Sequence, residues 1–297
     1  MSKKIMVLFS FLLSLCIVVN ADENEQWHKL CEDGDNKYCN LIGRNYISIK
    51  EYKKALNVYK KSCSVNDGEG CAWLGYLCFN GYGVRKNIRK ANEFYLRSCD
   101  LGFGEGCYSL AQLYENSYEL EQYRDKTLSL YEKGCKFGNA FSCANLGNMY
   151  TKGELVDINY VKAAEYYGQA CNNKDGLGCY KAAEMYLKEY AGLKVDYEKS
   201  MDYYQKACEL SISAGCTNLG IMYEEGKGDD VDLEMAAAYY GLACNLKDAN
   251  GCYYLGIAYE KGLGVEKEEQ KSKELYRVAC SLGQTDACGS IINNTIK

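Results

Sequence analysis

The sequence contains no proline and only one histidine, His28, among its 297 residues. Without proline, no helix interior is interrupted by a residue that lacks a backbone N–H. With a single histidine, a zinc site built from several histidines is disfavoured. A Ser-His-Asp or Cys-His arrangement would depend on His28 alone, which we expect to be a solvated residue near the N-terminus.

Excess positive charge is also lacking, since 35 Lys and Arg residues stand against 40 Asp and Glu, a net charge of −5. Nucleic-acid binding requires a basic surface that displaces counterions, so nucleic acid is not an expected partner. An anionic membrane surface is disfavoured for the same reason. The one long apolar run, residues 5–19, is shorter than the roughly 20 residues of a membrane span, so stable membrane insertion is not expected.

Residues 1–21 have the layout of a secretory signal peptide, with two lysines before an apolar run and small residues before the expected cleavage after Ala21. Acylation of Cys16 is the alternative, although the leucine before it is larger than such a site prefers. Cleavage removes two lysines and no acid, so the net charge becomes −7. We therefore expect a secreted or periplasmic protein of residues 22–297.

Cysteine is abundant, and sixteen of the 18 cysteines form eight pairs with seven residues between the two members. Most of the steps between successive pairs are 36 residues long. A fixed period of this length is typical of a solenoid built from stacked repeats. The pairs are Cys31/Cys39, Cys63/Cys71, Cys99/Cys107, Cys135/Cys143, Cys171/Cys179, Cys208/Cys216, Cys244/Cys252 and Cys280/Cys288.

Each pair is predicted to form a disulfide, because paired cysteines of exported proteins oxidise. Residues eight apart on one helix lie about 12 Å apart along its axis, beyond the Cα limit of roughly 7 Å for a disulfide. The chain must therefore reverse between them, and turn residues such as Asp67 and Gly68 supply the reversal. Zinc is the competing interpretation, but the sequence has no Cys-x(2–4)-Cys knuckle, and no metal site is expected.

Between the cysteine pairs, apolar and small residues recur at helical spacing. Counted from the second cysteine of a pair, positions +3, +4 and +7 lie on one face of a first helix, as in Leu146, Gly147 and Tyr150. Position −4, counted back from the next pair, is always tyrosine, as in Tyr167 on a second helix. We expect these tyrosines to pack between the helices rather than form an aromatic binding strip.

Two details depart from this pattern. Cys78 replaces the usual tyrosine at position +7, which predicts a buried, free thiol that packs as a small apolar residue. A reactive or intermolecular thiol is the alternative. Gly-x-Gly motifs join the first and second helices in several repeats and predict helix termination by glycine. Residues 115–122 lack glycine, so a different turn is expected there.

The segments 143–150 and 162–171 resemble Sel1-like repeats, which are helix-turn-helix units related to tetratricopeptide repeats. The paired cysteines make the sequence similar to the Helicobacter cysteine-rich protein family. The resemblance covers residues 25–288. It implies an all-α fold, an α/α solenoid that forms a right-handed superhelix with one disulfide per repeat. About seven repeats with terminal caps would then make up residues 22–297.

The resemblance also implies an activity, since members of that family are described as β-lactamases or penicillin-binding proteins. No serine is followed three residues later by lysine, and there is no Lys-Thr-Gly, so the motifs of the serine enzymes are missing. No catalytic residue and no cofactor can be predicted. Hydrolysis of a β-lactam, or binding of a peptidoglycan-like small molecule, remains the alternative function.

Binding of a peptide or protein from the bacterial envelope or the host is the main prediction. A solenoid of this family exposes an extended concave surface formed mainly by its first helices, and no catalytic centre is needed there. Positions +2 and +5 vary between repeats, with asparagines that could hold a peptide backbone and aromatic residues that could hold apolar side chains. The candidate binding residues are Trp73, Tyr76, Asn145, Asn148, Lys181, Asn218 and Tyr254.

Overall fold

The computed structural model describes residues 21–293, so the expected signal peptide lies outside the described residues apart from Ala21. Within this range the chain forms sixteen α-helices, one 3-10 helix over Tyr118–Lys126, and no strand. The predicted all-α fold class is confirmed. The helices are α1 (Ala21–Glu32), α2 (Asn36–Ser48), α3 (Tyr52–Ser64), α4 (Gly68–Asn80), α5 (Ile88–Asp100), α6 (Gly104–Asn116), α7 (Thr127–Lys136), α8 (Ala140–Lys152), α9 (Tyr160–Asn172), α10 (Gly176–Leu187), α11 (Tyr197–Glu209), α12 (Ser213–Glu225), α13 (Leu233–Asn245), α14 (Ala249–Lys261), α15 (Glu269–Ser281) and α16 (Thr285–Asn293).

The chain divides after Ser142 into two compact units. In unit 1, which ends at Ser142, the first and second helices of successive repeats pack as α2 on α3, α4 on α5 and α6 on α7. In unit 2, which begins at Cys143, the corresponding pairs are α10 on α11, α12 on α13 and α14 on α15. Within each unit the second helix of one repeat also packs on the first helix of the next, as α3 does on α4 and α13 on α14. This stacking makes each unit a stretch of α/α solenoid.

The tyrosine of each second helix lies against the small residue of its own first helix. A Cβ atom added to Gly75 would stand 2.6 Å from the ring of Tyr95, and one added to Gly220 would stand 2.6 Å from the ring of Tyr240. These two rings are 1% and 2% exposed. A ring of this size buries about 150–250 Å², so the tyrosines are packing residues, as the spacing predicts.

A second set of tyrosines, at position +7 of the first helices, stacks on the neighbouring second helix. The ring centroids of Tyr150 and Tyr166 are 5.6 Å apart, and those of Tyr223 and Tyr239 are also 5.6 Å apart. Cys78 occupies the equivalent place in unit 1. It is 3% exposed, and it is the one free cysteine among the described residues.

One disulfide per repeat joins the end of a second helix to the start of the next first helix. The paired Cα atoms are 4.4 to 4.9 Å apart. The chain reverses at the third residue after the first cysteine, where Lys174, Ser211 and Lys247 have φ between 63° and 65°. Cys135 and Cys143 are disulfide-bonded as well. The bridges within the two units are Cys31–Cys39, Cys63–Cys71, Cys99–Cys107, Cys171–Cys179, Cys208–Cys216, Cys244–Cys252 and Cys280–Cys288.

The two glycines of the Gly-x-Gly turns have different tasks. The first, as at Gly262, ends the first helix in a left-handed conformation with φ of 73°. The second approaches the start of the second helix in the preceding repeat. A Cβ atom on Gly228 would stand 2.8 Å from the carbonyl oxygen of Tyr197, and one on Gly264 would overlap the backbone of Leu233. The glycine-free connection carries the 3-10 helix instead, so the expected different turn is present.

Candidate binding site on the first helices

The first helices of unit 2 carry five of the seven predicted binding residues. Asn145 and Asn148 lie on α8, Lys181 on α10, Asn218 on α12 and Tyr254 on α14, and all five side chains are partly exposed. All stand at positions +2 or +5, which fall on the same side of a helix as it turns by 3.6 residues. We call the surface formed by these five residues the first-helix face.

Lys181 and Asn148 link two consecutive first helices. The Lys181 Nζ donates a hydrogen bond of 2.7 Å to Asn148 Oδ1. The same oxygen accepts a second hydrogen bond, of 2.9 Å, from the hydroxyl of Tyr167. The ammonium also stands 5.3 Å from the centroid of the Tyr167 ring. Partial burial lowers the pKa of Lys181, and the nearby Asp175 carboxylate opposes that shift.

These contacts fix the orientation of the Asn148 amide. Because Oδ1 already accepts from two donors, Nδ2 is the group of this side chain that can donate to a partner. An amide N–H held in this way suits a backbone carbonyl oxygen of an extended peptide. The sequence predicted the residue but not the two contacts that orient it.

Asn218 makes the corresponding link one repeat later. Its Nδ2 donates to the hydroxyl of Tyr180 at 3.4 Å. Burial raises the pKa of Tyr180, so the ring keeps its proton at neutral pH. Tyr180 stands at position +1, and sequence reasoning missed it because only positions +2 and +5 were considered. The presence of a tyrosine next to position +2, at the rim of the face, is the sequence signal that could have identified Tyr180.

Tyr254, on α14, is the last residue of the first-helix face in the chain. Its ring stacks on the buried ring of Tyr240, with centroids 5.2 Å apart. A cavity of about 160 Å³ opens beside it, lined by residues of α12, α13 and α14. The sequence pattern alone does not indicate this cavity, because the residues that leave it unfilled are alanines and form no motif.

In unit 1 the prediction for Trp73 is wrong. The side chain is 3% exposed, stacks on Tyr59 with centroids 5.7 Å apart, and donates from Nε1 to Glu69 Oε1 at 3.3 Å. It belongs to a core cluster that also contains Tyr59 and Leu77. Tyr76 is half-buried, contacts Trp73 edge-to-face at 5.5 Å, and has a pKa raised by burial to about 12.

One further candidate for catalytic chemistry is His28. His28 is partly buried rather than fully solvated, and its Nε2 lies 3.1 Å from the hydroxyl of Tyr46. Among residues 21–293 no group of three or more His, Cys, Asp or Glu side chains is arranged to hold a metal ion. In the same range no helix has the length and apolar character needed to cross a membrane.

A family model describes this geometry. The Sel1 repeat matches residues 68–103, 104–139, 140–175, 176–211, 213–248 and 249–284, which together exceed half of the chain. The chain belongs to the Sel1 repeat family. The predicted resemblance is thereby confirmed, and the six matched segments of this Sel1 repeat protein each contain one first and one second helix. A search of curated proteins found no match.

The first two of the following solved structures share the fold of this Sel1 repeat protein. A protective antigen of uropathogenic Escherichia coli strains is 23% identical with a TM-score of 0.65, covering 92% of this chain, which spans 59% of the antigen. A Sel1 repeat protein from Oxalobacter formigenes is 23% identical with a TM-score of 0.58, covering 81% of this chain and 96% of that one. Cysteine rich protein B of Helicobacter pylori is 38% identical over 46% of this chain and 98% of its own, with a TM-score of 0.38.

Proposed function

We propose that this Sel1 repeat protein is a binding module that holds an extended segment of a protein partner on its first-helix face. The observation that carries the proposal is the pair of links between consecutive first helices, Lys181 to Asn148 and Asn218 to Tyr180. They hold two side-chain amides, those of Asn148 and Asn218, in fixed orientations two repeats apart. Because these side chains are already ordered, the protein loses less conformational entropy when it binds a peptide backbone.

The chemistry of the face supports a peptide over a charged polymer. Asparagine amides can donate to and accept from a peptide backbone in either chain direction. The lysine contributes one positive charge that is already directed at Asn148, so the face offers no large basic surface for nucleic acid. Sel1 repeats in general mediate protein interactions, which agrees with this choice of partner.

The proposed working compartment is the periplasm or the exterior of the cell. Disulfides form and persist where the environment is oxidising, and this chain has one in each repeat. The expected signal peptide would deliver it there. Sequencing the N-terminus of the protein recovered from expressing cells should give Asp22 as the first residue, whereas a retained Met1 in a cytoplasmic fraction would contradict the proposal.

A displayed library of extended peptides, selected on the oxidised protein, tests the binding function. We expect enriched peptides whose affinity for the Asn148→Ala/Asn218→Ala double variant falls about tenfold or more. The matched control is Gln205→Ala, an exposed side chain on the second helix α11 that should leave the affinity unchanged. Enriched peptides that bind the double variant and the parent equally would overturn the proposal.

A further inference from the structure

The cavity beside Tyr254 lies within unit 2, where α12, α13 and α14 meet. Its volume is about 160 Å³. Its walls are mainly apolar, with Leu233, Ala237, Ile257 and Ala258 among them, and Glu224 stands at its edge. An apolar cavity of about 150 Å³ holds a molecule of the size of benzene. The space therefore suits one leucine- or phenylalanine-sized side chain.

Two small residues create this space. Ala258 stands at position +6 of its first helix, where the preceding repeat has Met222, and Ala237 stands on its second helix at the position where the repeat before its own has Met201. Met201 and Met222 are 8% and 2% exposed and belong to the same core cluster. Four further repeats also carry a large residue at position +6, namely Leu77, Leu113, Met149 and Met185. The cavity is thus the volume that two methionine side chains fill one repeat earlier.

The surroundings of the cavity are mainly acidic, although Lys261 lines it together with Glu224. Glu224 is exposed, and its Oε2 accepts a hydrogen bond of 2.6 Å from the buried hydroxyl of Tyr240. Leu233 on the wall is flanked in sequence by Asp232 and Glu234. Residues 224–234 together hold six acidic side chains and one lysine. An occupant that carries positive charge next to its apolar side chain complements this edge.

Resting on the proposed function, we propose that the cavity is the anchor pocket of the first-helix face and takes an apolar side chain of leucine size from a basic peptide segment. Tyr254 joins the two parts, because it belongs to the face and also lines the cavity. The apolar side chain supplies buried area, and basic neighbours in the peptide meet Glu224 and the acidic residues of the turn before α13. Specificity in the partner then comes from one apolar residue flanked by lysine or arginine.

Three short peptides test the pocket directly: acetyl-Lys-Leu-Lys-amide, acetyl-Lys-Ala-Lys-amide and acetyl-Glu-Leu-Glu-amide. Binding is followed through the methyl NMR signals of Ala237 and Ala258. We expect the first peptide to shift both signals and to bind about tenfold more tightly than either of the others. Equal binding of the leucine and alanine peptides, or no shift at either methyl, would overturn the proposal.

Filling the pocket provides the matched control. Ala258→Met installs the residue found at the equivalent position of the preceding repeat, and Ala237→Met is a second filling variant if the first does not fold. Either should abolish the shifts caused by acetyl-Lys-Leu-Lys-amide. Met222→Ala opens space one repeat earlier and should add a second site for the leucine peptide. Undiminished leucine binding by a folded filling variant would contradict the assignment.

The two proposals fail in different ways. If a library-selected peptide depends on Asn148 and Asn218 but binds Ala258→Met as tightly as the parent, the anchor pocket is wrong and the binding face stands. If the leucine peptide enters the cavity while no selected peptide depends on the asparagines, the pocket stands and the binding face is wrong.

Discussion

The hydroxyl of Tyr240 donates a hydrogen bond of 2.6 Å to Glu224 Oε2. The equivalent hydroxyl in unit 1, that of Tyr95, has no hydrogen-bond partner among the described residues. Both rings are almost fully buried, at 2% and 1% exposure. The difference arises at position +8, which is glutamate in the repeat of Tyr240 and Phe79 in the repeat of Tyr95. Two identical tyrosines therefore contribute differently to stability.

Tyr240→Phe should lower the free energy of unfolding by about 1.5 kcal/mol, because it removes a hydrogen bond to a carboxylate. Tyr95→Phe should change it by less than about 0.5 kcal/mol or raise it, because a buried hydroxyl without a partner is removed. Urea unfolding of the two oxidised variants at neutral pH measures both effects. A larger loss for Tyr95→Phe than for Tyr240→Phe would contradict the packing described above.

Gly264→Ala should be far more damaging than Gly262→Ala. Both glycines have positive φ, 69° and 73°, so alanine costs roughly 1–2 kcal/mol of backbone strain at each. Only at Gly264 would the added Cβ atom also overlap the backbone of Leu233 in the preceding repeat. Close overlap of this kind adds about 1–3 kcal/mol. The melting temperature of Gly264→Ala should therefore be well below that of Gly262→Ala. Equal melting temperatures would show that this contact is absent.

Glu105 should make unit 1 less stable as the pH rises. Burial raises the pKa of its carboxyl from 4.5 to about 7, although a hydrogen bond of 2.6 Å from Asn139 Nδ2 favours the charged form. The folded protein therefore keeps this proton to a higher pH than the unfolded chain does. The resulting stabilisation is complete below about pH 4.5 and is lost as the pH rises towards 7.

Glu105→Gln should remove this dependence while keeping an oxygen that accepts from Asn139. We expect it to raise the free energy of unfolding above pH 7 by on the order of 2 kcal/mol and to have little effect near pH 4. Glu198→Gln, an exposed carboxyl on α11, is the control and should leave the pH dependence of the parent unchanged. A Glu105→Gln variant that gains no stability at high pH would show that the charged form of the Glu105 carboxyl does not destabilise the folded protein.

Cys78 should be the single titratable thiol of the oxidised protein without its leader. The side chain is buried, and burial raises the pKa of its thiol, so little reactive thiolate forms at neutral pH. A thiol reagent such as DTNB should react slowly with the native protein and release one equivalent on unfolding in denaturant. Cys78→Ser should release none. Rapid reaction of the native protein would instead support the alternative of a reactive thiol.

Much of the architecture is predictable because it depends on local patterns that recur. The cysteine spacing requires a reversal of the chain, and the tyrosine of each second helix requires a small residue opposite, as Tyr95 does at Gly75. Trp73 could not be placed in this way. Position +2 faces outward in most repeats, and only the neighbouring ring of Tyr59 and the carboxylate of Glu69 show that the indole turns inward.

The sequence predicted which positions contribute to the candidate site, but not the contacts between their side chains. Lys181 and Asn148 are 33 residues apart in the sequence, and their hydrogen bond depends on how two first helices stack. The cavity depends on a comparison of side-chain volumes between repeats, Ala258 against Met222, rather than on any motif. Such a comparison is possible from the sequence alone once the repeat register is known.

The disulfides have a consequence for proteolysis. Each bridge closes a ring of nine residues around an exposed reversal, and in two rings the residue with positive φ is a lysine, Lys174 or Lys247. Trypsin that cuts after either lysine leaves both fragments joined through sulfur. The nicked chain would migrate as one species on a gel until a reductant is added, so cleavage at these exposed bonds need not release any piece of the protein.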